Sequence, residues 1–153
     1  MIKLGKLTDY AVVLLRQMAT DPAVVHTAPR LSERTGLPDP TVAKVLKILG
    51  RAGILRSQRG AAGGYGLARG AAVITVAEII TAMEGPIALT ECVSTSLSSC
   101  SVETLCPMRG GWEKVNLALR TALESVTLAD MMQPLPLPPV RTADAPVATI
   151  AGD

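Results

Sequence analysis

Phenylalanine is absent from this 153-residue sequence, which has one Trp and two Tyr. So few rings argue against modules that stack unpaired bases on aromatic platforms. Apolar runs are short as well. Ala11–Leu15 is broken by Arg16 and lacks a convincing cleavage site, so no signal peptide is expected. Nothing approaches the roughly 20 residues of a membrane span. The three cysteines are odd in number and confined to residues 92–106, a poor disulfide scaffold. No nucleophile–base pair, carboxylate pair or nucleotide loop stands out, so no catalytic residue is assigned and no enzyme is expected. A cytoplasmic chain without a membrane partner fits these absences.

Hydrophobic residues make up 48% of the chain, enough for a core. The net charge of +2 hides an asymmetry. Residues 1–70 carry eleven Lys/Arg against four Asp/Glu, a balance of +7, and residues 71–153 carry four against nine, a balance of −5. A basic first half suits a polyanion; an acidic second half does not.

The stretch from Leu37 to Arg69 organises the rest. Asp39 suits an N-cap and Pro40 a first helical position. Val42, Val45, Leu46 and Leu49 then recur at helical spacing on one face, with Lys44, Lys47 and Arg51 on the other. Gly53 can close this helix in the left-handed conformation. Ile54–Ser57 and Tyr65–Ala68 read as two short strands around a glycine-rich tip. Upstream, residues 8–20 predict a helix capped by Thr8 and ended by Asp21-Pro22. A second helix, 28–35, is capped by Thr27 and closed by Gly36. So tight a glycine-containing turn between two helices is the helix-turn-helix signature. Downstream, Thr75–Glu84 reads as a helix stopped by Gly85-Pro86. Residues 87–107 read as a loop, Arg109–Met131 as one long helix, and 133–153 as a Pro-rich disordered or extended tail. The expected fold is mainly α with a small β-hairpin wing: a winged helix-turn-helix followed by a long dimerisation helix. The division is 1–86 for DNA binding, 87–107 for the cysteine loop, 108–132 for dimerisation and 133–153 for the tail. Trp112, Val115, Leu119, Ala122 and Val126 form an apolar stripe for which a second copy of the chain is the economical partner.

In a winged helix the second helix of the motif enters the major groove. That places Pro40, Thr41, Ala43 and Lys44 nearest base edges and Lys47 and Arg51 nearer phosphate. Arg56, Arg59 and Arg69 sit on or beside the wing, to clamp phosphate or enter the minor groove. The competing reading is ordinary solvated charge. Gly60, Gly63, Gly64 and Gly66 match no dinucleotide or P-loop pattern and suit a tight wing turn instead. His26, in the loop before the motif, reads as an ordinary loop residue.

Cys92, Cys100 and Cys106 are spaced C-x7-C-x5-C in a polar segment. Converging thiolates suit an iron–sulfur cluster or zinc, although structural zinc sites usually offer closer Cys pairs. Free thiols or a redox-sensing pair remain alternatives, as does, less favoured, an iron–sulfur carrier.

Several segments, in order, resemble one family: LGKLTDYAVVLL, RTGLPDPTVAKVLKILGRAGIL, RGAAGGYGLAR, EGPIALTEC, CPMRGGW and LESVTLADM. The sequence is similar to the Rrf-two winged-helix repressors, typified by IscR, NsrR and RirA, over residues 1 to about 132. It resembles most the subgroup described as regulators of the SUF iron–sulfur assembly system. The resemblance implies a homodimer with crossed long helices on a pseudo-palindromic duplex operator. It also implies a [2Fe–2S] or [4Fe–4S] cluster on the three cysteines that tunes DNA binding. Relatives differ in the fourth ligand. The histidine that IscR-like members carry three residues after the last cysteine is Arg109 here. The His or Asn that others carry before the Trp is Gly111. In NsrR-like members the fourth ligand is an aspartate of the partner subunit's first helix, the position of Asp9 here.

Overall fold

The structure is a computed structural model that describes residues 3–60, 63–90, 93 and 109–133. Three helices come first: α1 (Lys6–Thr20), α2 (Ala28–Thr35) and α3 (Asp39–Arg51). Strands β1 (Leu55–Gln58) and β2 (Gly64–Leu67), a short 3₁₀ turn (Ala71–Val73) and α4 (Val76–Glu84) follow. After the cysteine segment come α5 (Arg109–Glu124) and α6 (Leu128–Met132).

The expected helical periodicities become the core. Leu14, Leu15 and Met18 of α1, Leu31 of α2 and Val42, Val45, Leu46 and Leu49 of α3 are all fully buried. Ile54, Leu55 and Leu67 close it from the hairpin side, and Ile74, Ile79 and Leu128 from the other. Each such aliphatic side chain contributes about 1.5–3 kcal/mol of burial, so the head is held from several elements at once. Thr27 caps α2, its hydroxyl accepting from Arg30 N–H, and Gly36 ends it at φ +71°. Both agree with the sequence reading.

Two caps differ. Helix α1 starts at Lys6 with Gly5 as its cap residue, and Thr8 lies inside it. Thr8 is buried and spends its hydroxyl on Glu84, 2.5 Å away. Glu84 also accepts from Gly5 N–H at 2.6 Å, so a carboxylate from the end of α4 caps α1 across the fold. Helix α3 is preceded by Pro38 as its cap residue, which moves Asp39 into the acidic-favoured first turn.

The single helix expected over Arg109–Met131 is two helices. α5 stops at Glu124, and Thr127 begins α6 with a capping box, its hydroxyl accepting from Asp130 N–H while Asp130 accepts from Thr127 N–H. The link is claimed by the head: Val76 N–H donates to Val126 O and Leu128 N–H to Ile74 O. Trp112, Val115, Leu119 and Ala122 therefore share α5, whereas Val126 lies in the link and Ala129 in α6.

Candidate nucleic-acid interface and cysteine segment

Helix α3 buries its aliphatic face and turns Pro40, Ala43, Lys44, Lys47 and Arg51 to the surface, with Thr41 half-buried at its start. The turn that aims it is locked by Ser32, whose hydroxyl donates to Leu37 O at 2.5 Å, and by Thr35, which donates to Leu31 O at 2.7 Å. Strands β1 and β2 pair antiparallel, Arg56 opposite Gly66 and Ser57 opposite Tyr65. A Cβ on Gly66 would lie 3.3 Å from Arg56 Nε, so the missing side chain leaves the Arg56 stem room along β2. Arg59 stands exposed where the tip begins. Lys44, Lys47, Arg51, Arg56 and Arg59 have no ion-pair partner among the described residues. Their charges are available for phosphate.

Arg69 differs from the others. Its guanidinium is 2.9 Å from Glu78 Oε1. Glu78 also closes the capping box of α4 by accepting from Thr75 N–H. That backbone donor first, and Arg69 after it, hold the Glu78 carboxyl below its ordinary range. Arg69 thus joins the wing to α4, and its charge is already partnered.

The wing glycines do more than turn the chain. Gly60 takes φ +108°, but a Cβ on Gly64 would fall 2.5 Å from His26 O and 2.8 Å from Val25 Cγ1. Gly64 is thus a place of close backbone approach, because His26 pairs with β2. His26 N–H donates to Tyr65 O and Tyr65 N–H donates to His26 O, both at 2.8 Å. The His26 ring is buried, with Nε2 3.2 Å from Asp21 O. Far from an ordinary loop residue, His26 fastens the wing to the segment entering α2. Periodicity could not reveal this, because a one-residue bridge leaves no pattern.

Cys92, Cys100 and Cys106 lie outside the described residues, as does the side chain of Arg109. No cluster of three metal-ligating side chains occurs among the described residues. Asp9 is exposed on the first turn of α1, and its carboxylate has no hydrogen-bond or ion-pair partner among the described residues. It borders a groove of about 390 Å³ walled by Leu4, Val12, Ile79, Ile80 and Met131. A free carboxylate beside an open groove, with three thiolates in the same chain, is a donor set compatible with iron–sulfur or zinc chemistry. Sequence reasoning missed Asn116 of α5, a buried side chain whose Oδ1 accepts from Leu89 N–H and whose Nδ2 donates to Ile87 O, both at 3.1 Å.

Residues 4–134 match the Rrf2 family, described as an iron-dependent transcriptional regulator. The chain belongs to that family. It is 29% identical to an Rrf2-like HTH-type transcriptional regulator of Rhodobacter capsulatus, over 80% of this chain and 87% of the relative. It is 33% identical to an HTH-type transcriptional regulator of Neisseria meningitidis, over 84% of each. Among solved structures it resembles CymR, the global cysteine regulator of B. subtilis, with a TM-score of 0.65 and 25% identity over 86% of this chain and 97% of that one. It also resembles IscR of T. potens, with a TM-score of 0.62 and 30% identity over 86% of each. The protein is therefore a winged-helix, DNA-binding transcriptional regulator, and its family and relatives are regulators and not enzymes. None of the described helices is long and apolar enough to cross a membrane.

Proposed function

We propose that this regulator is a cytoplasmic homodimeric repressor whose operator affinity is set by an iron–sulfur cluster on Cys92, Cys100 and Cys106, with the partner subunit's Asp9 as fourth ligand. Its genes would be those of iron–sulfur assembly or iron homeostasis. The observation that carries this reading is the junction of two chemistries in one chain. A head whose five candidate DNA-contacting cations have no ion-pair partner among the described residues is followed directly by three cysteines within fifteen residues. The family's iron-dependent description and the likeness to IscR support it. So do the free Asp9 carboxylate and the groove beside it.

When bound, the cluster would supply iron–thiolate bonds sensitive to oxidation and to competing ligands. The chain's own residues do the remainder. α3 places Lys44 at base edges and Lys47 and Arg51 at phosphate, and the wing adds Arg56 and Arg59. Asp9 of one head would hold the cluster together with the cysteines of the other chain, so ligation there would bear on how the two heads are spaced. Switching requires that ligation favour one spacing over the other. Trp112 and Val115, 41% and 48% exposed, supply the apolar face that a second copy would cover.

The likeness to a cysteine regulator, together with Arg109 and Gly111 at positions where some relatives carry a histidine ligand, favours a second reading in which the thiols sense oxidation or zinc. Iron and acid-labile sulfide counted per chain, in protein purified without oxygen, separate the two. Roughly equal amounts of both, lost on replacing any of the three cysteines, are expected. Their absence after anaerobic reconstitution, with operator control abolished by a thiol-blocking reagent, would establish the second reading.

A further inference from the structure

The base of the wing is buried, and its outer part offers few side chains to hold it. Leu55 and Leu67 stand opposite each other and belong to the core. Beyond that pair, Arg56, Ser57, Gln58 and Arg59 are all exposed, and Gly63, Gly64 and Gly66 bring no side chain. Among the described residues of the outer hairpin, Tyr65 alone combines a side chain with partial burial, and it packs against the core. Its ring lies over the last turn of α3. A Cβ on Gly50 would stand 3.5 Å from Tyr65 Cε1, an ordinary contact distance. Its backbone, meanwhile, is spent on His26, with both bonds at 2.8 Å. The phenol hydroxyl has no hydrogen-bond partner among the described residues, so the ring itself makes the contact.

We infer that Tyr65 is a positioning residue for DNA binding. Its ring, laid on Gly50, couples the wing to the reading helix and sets where Arg56 and Arg59 stand relative to Lys44 and Lys47. Arg59 is four residues beyond Leu55, which at about 3.3 Å per residue puts it about 13 Å out from the buried pair. A rotation at the base is therefore multiplied at the tip. Helix and wing must meet one duplex together, and the wing gains from the helix being already bound only if its geometry allows both contacts at once. The effect on the operator rests on the wing contacts proposed above; the coupling of the wing to α3 does not.

The experiment uses the full chain with Tyr65→Leu, which stops short of Gly50, and Tyr65→Phe, which keeps the ring and drops the hydroxyl. The first readout is amide exchange. In Tyr65→Leu the N–H groups of His26 and of position 65 should exchange faster by a larger factor than those of Leu46 and Leu49 in α3, because the hairpin opens locally. The second is a double-mutant cycle on a duplex that the wild-type protein selects from a random pool. Arg59→Ala should weaken binding several-fold in the wild-type background and little in Tyr65→Leu, whereas Lys44→Ala should cost the same in both. Tyr65→Phe should match wild type in each readout. If Tyr65→Leu does not fold, Tyr65→Met serves, with the same pattern at smaller size. Exchange raised by one common factor in hairpin and α3 would mark general loss of stability and overturn the inference. So would a Tyr65→Phe protein as impaired as Tyr65→Leu, which would make the hydroxyl the contact, or an Arg59→Ala cost that is equal in both backgrounds. Arg59→Ala without effect on wild type would overturn the wing-contact reading alone, since the exchange rates still decide the role of Tyr65.

Discussion

At the scale of single residues, unpaired charge separates the side chains free to meet DNA from those occupied by the fold. Lys44 is exposed on the first turns of α3 with no acidic partner among the described residues, whereas Arg69 is committed to Glu78. Lys44→Ala is accordingly expected to weaken binding to a duplex selected by the wild-type protein from a random pool. A base contact would cost about 1–3 kcal/mol and relax selectivity at one position; a phosphate contact would weaken all sequences alike and lower the salt slope by about one. Arg69→Ala should leave that slope unchanged and instead lower thermal stability, because it strips Glu78 of a partner. Glu84 allows a pH test. Its bonds from Thr8 first and Gly5 second hold its carboxyl below the ordinary 4.5. A depressed folded-state pKa means that the contribution is complete above 4.5 and is lost as pH falls through the lower folded value. The stability gap between wild type and Glu84→Ala, followed by denaturant titration, should therefore be full at pH 7 and narrow below about pH 4.5. A gap of constant size down to pH 3 would show that the carboxylate's charge has no part in capping α1.

At the scale of elements, what the sequence revealed was whatever repeats. The i, i+3, i+4 pattern of Val42, Val45, Leu46 and Leu49 placed α3 and its basic outer face, and Thr27 and Gly36 bracketed α2 to the residue. What stayed hidden were the long-range bonds. The Thr8–Glu84 contact spans 76 positions, so Thr8 looked like a local cap. The break after Glu124 followed from Thr127 and Asp130, a legible capping box, but also from backbone groups of Ile74 and Val76 that claim the link. An apolar stripe running through Val126 masked both. Gly64 was legible as a glycine but not as the point where β2 meets His26. Gly64→Ala tests that contact: a Cβ 2.5 Å from a carbonyl oxygen must push β2 away, at a cost of about 1–3 kcal/mol if the strain is absorbed locally. Operator binding should weaken and its salt slope should fall as Arg56 and Arg59 leave the duplex, while Gly60→Ala, strained at φ +108° but open in space, should disturb the tip alone. Unchanged binding by Gly64→Ala would mean that the wing's position does not matter to the operator.

At the scale of the whole molecule, the proposed function gives the basic first half to DNA and the acidic second half to assembly. α5 leaves Trp112, Val115 and Leu117 exposed, Leu117 at 65%, while Asn116 of the same helix is buried and bonded to Ile87 and Leu89. Exposed apolar side chains of this kind on a helix are where a second chain gains most from burial. Val115→Lys should therefore shift sedimentation from dimer to monomer at micromolar concentration while circular dichroism stays helical. The consequence for DNA separates assembly from reading. A dimer gains its second half-site at the high local concentration set by the first, so losing the dimer should cut affinity for a two-half-site duplex by about 10²–10⁴-fold. Affinity for a duplex with one half-site should change little, since α3 and the wing remain intact. Half-site centres should lie about 10–10.5 bp apart, or a multiple of that, because two symmetric heads must meet the same groove face. A monomeric Val115→Lys that binds the two-half-site duplex as tightly as wild type would show that each head reads alone. Cluster chemistry acting through the spacing of two heads would then have nothing to act upon.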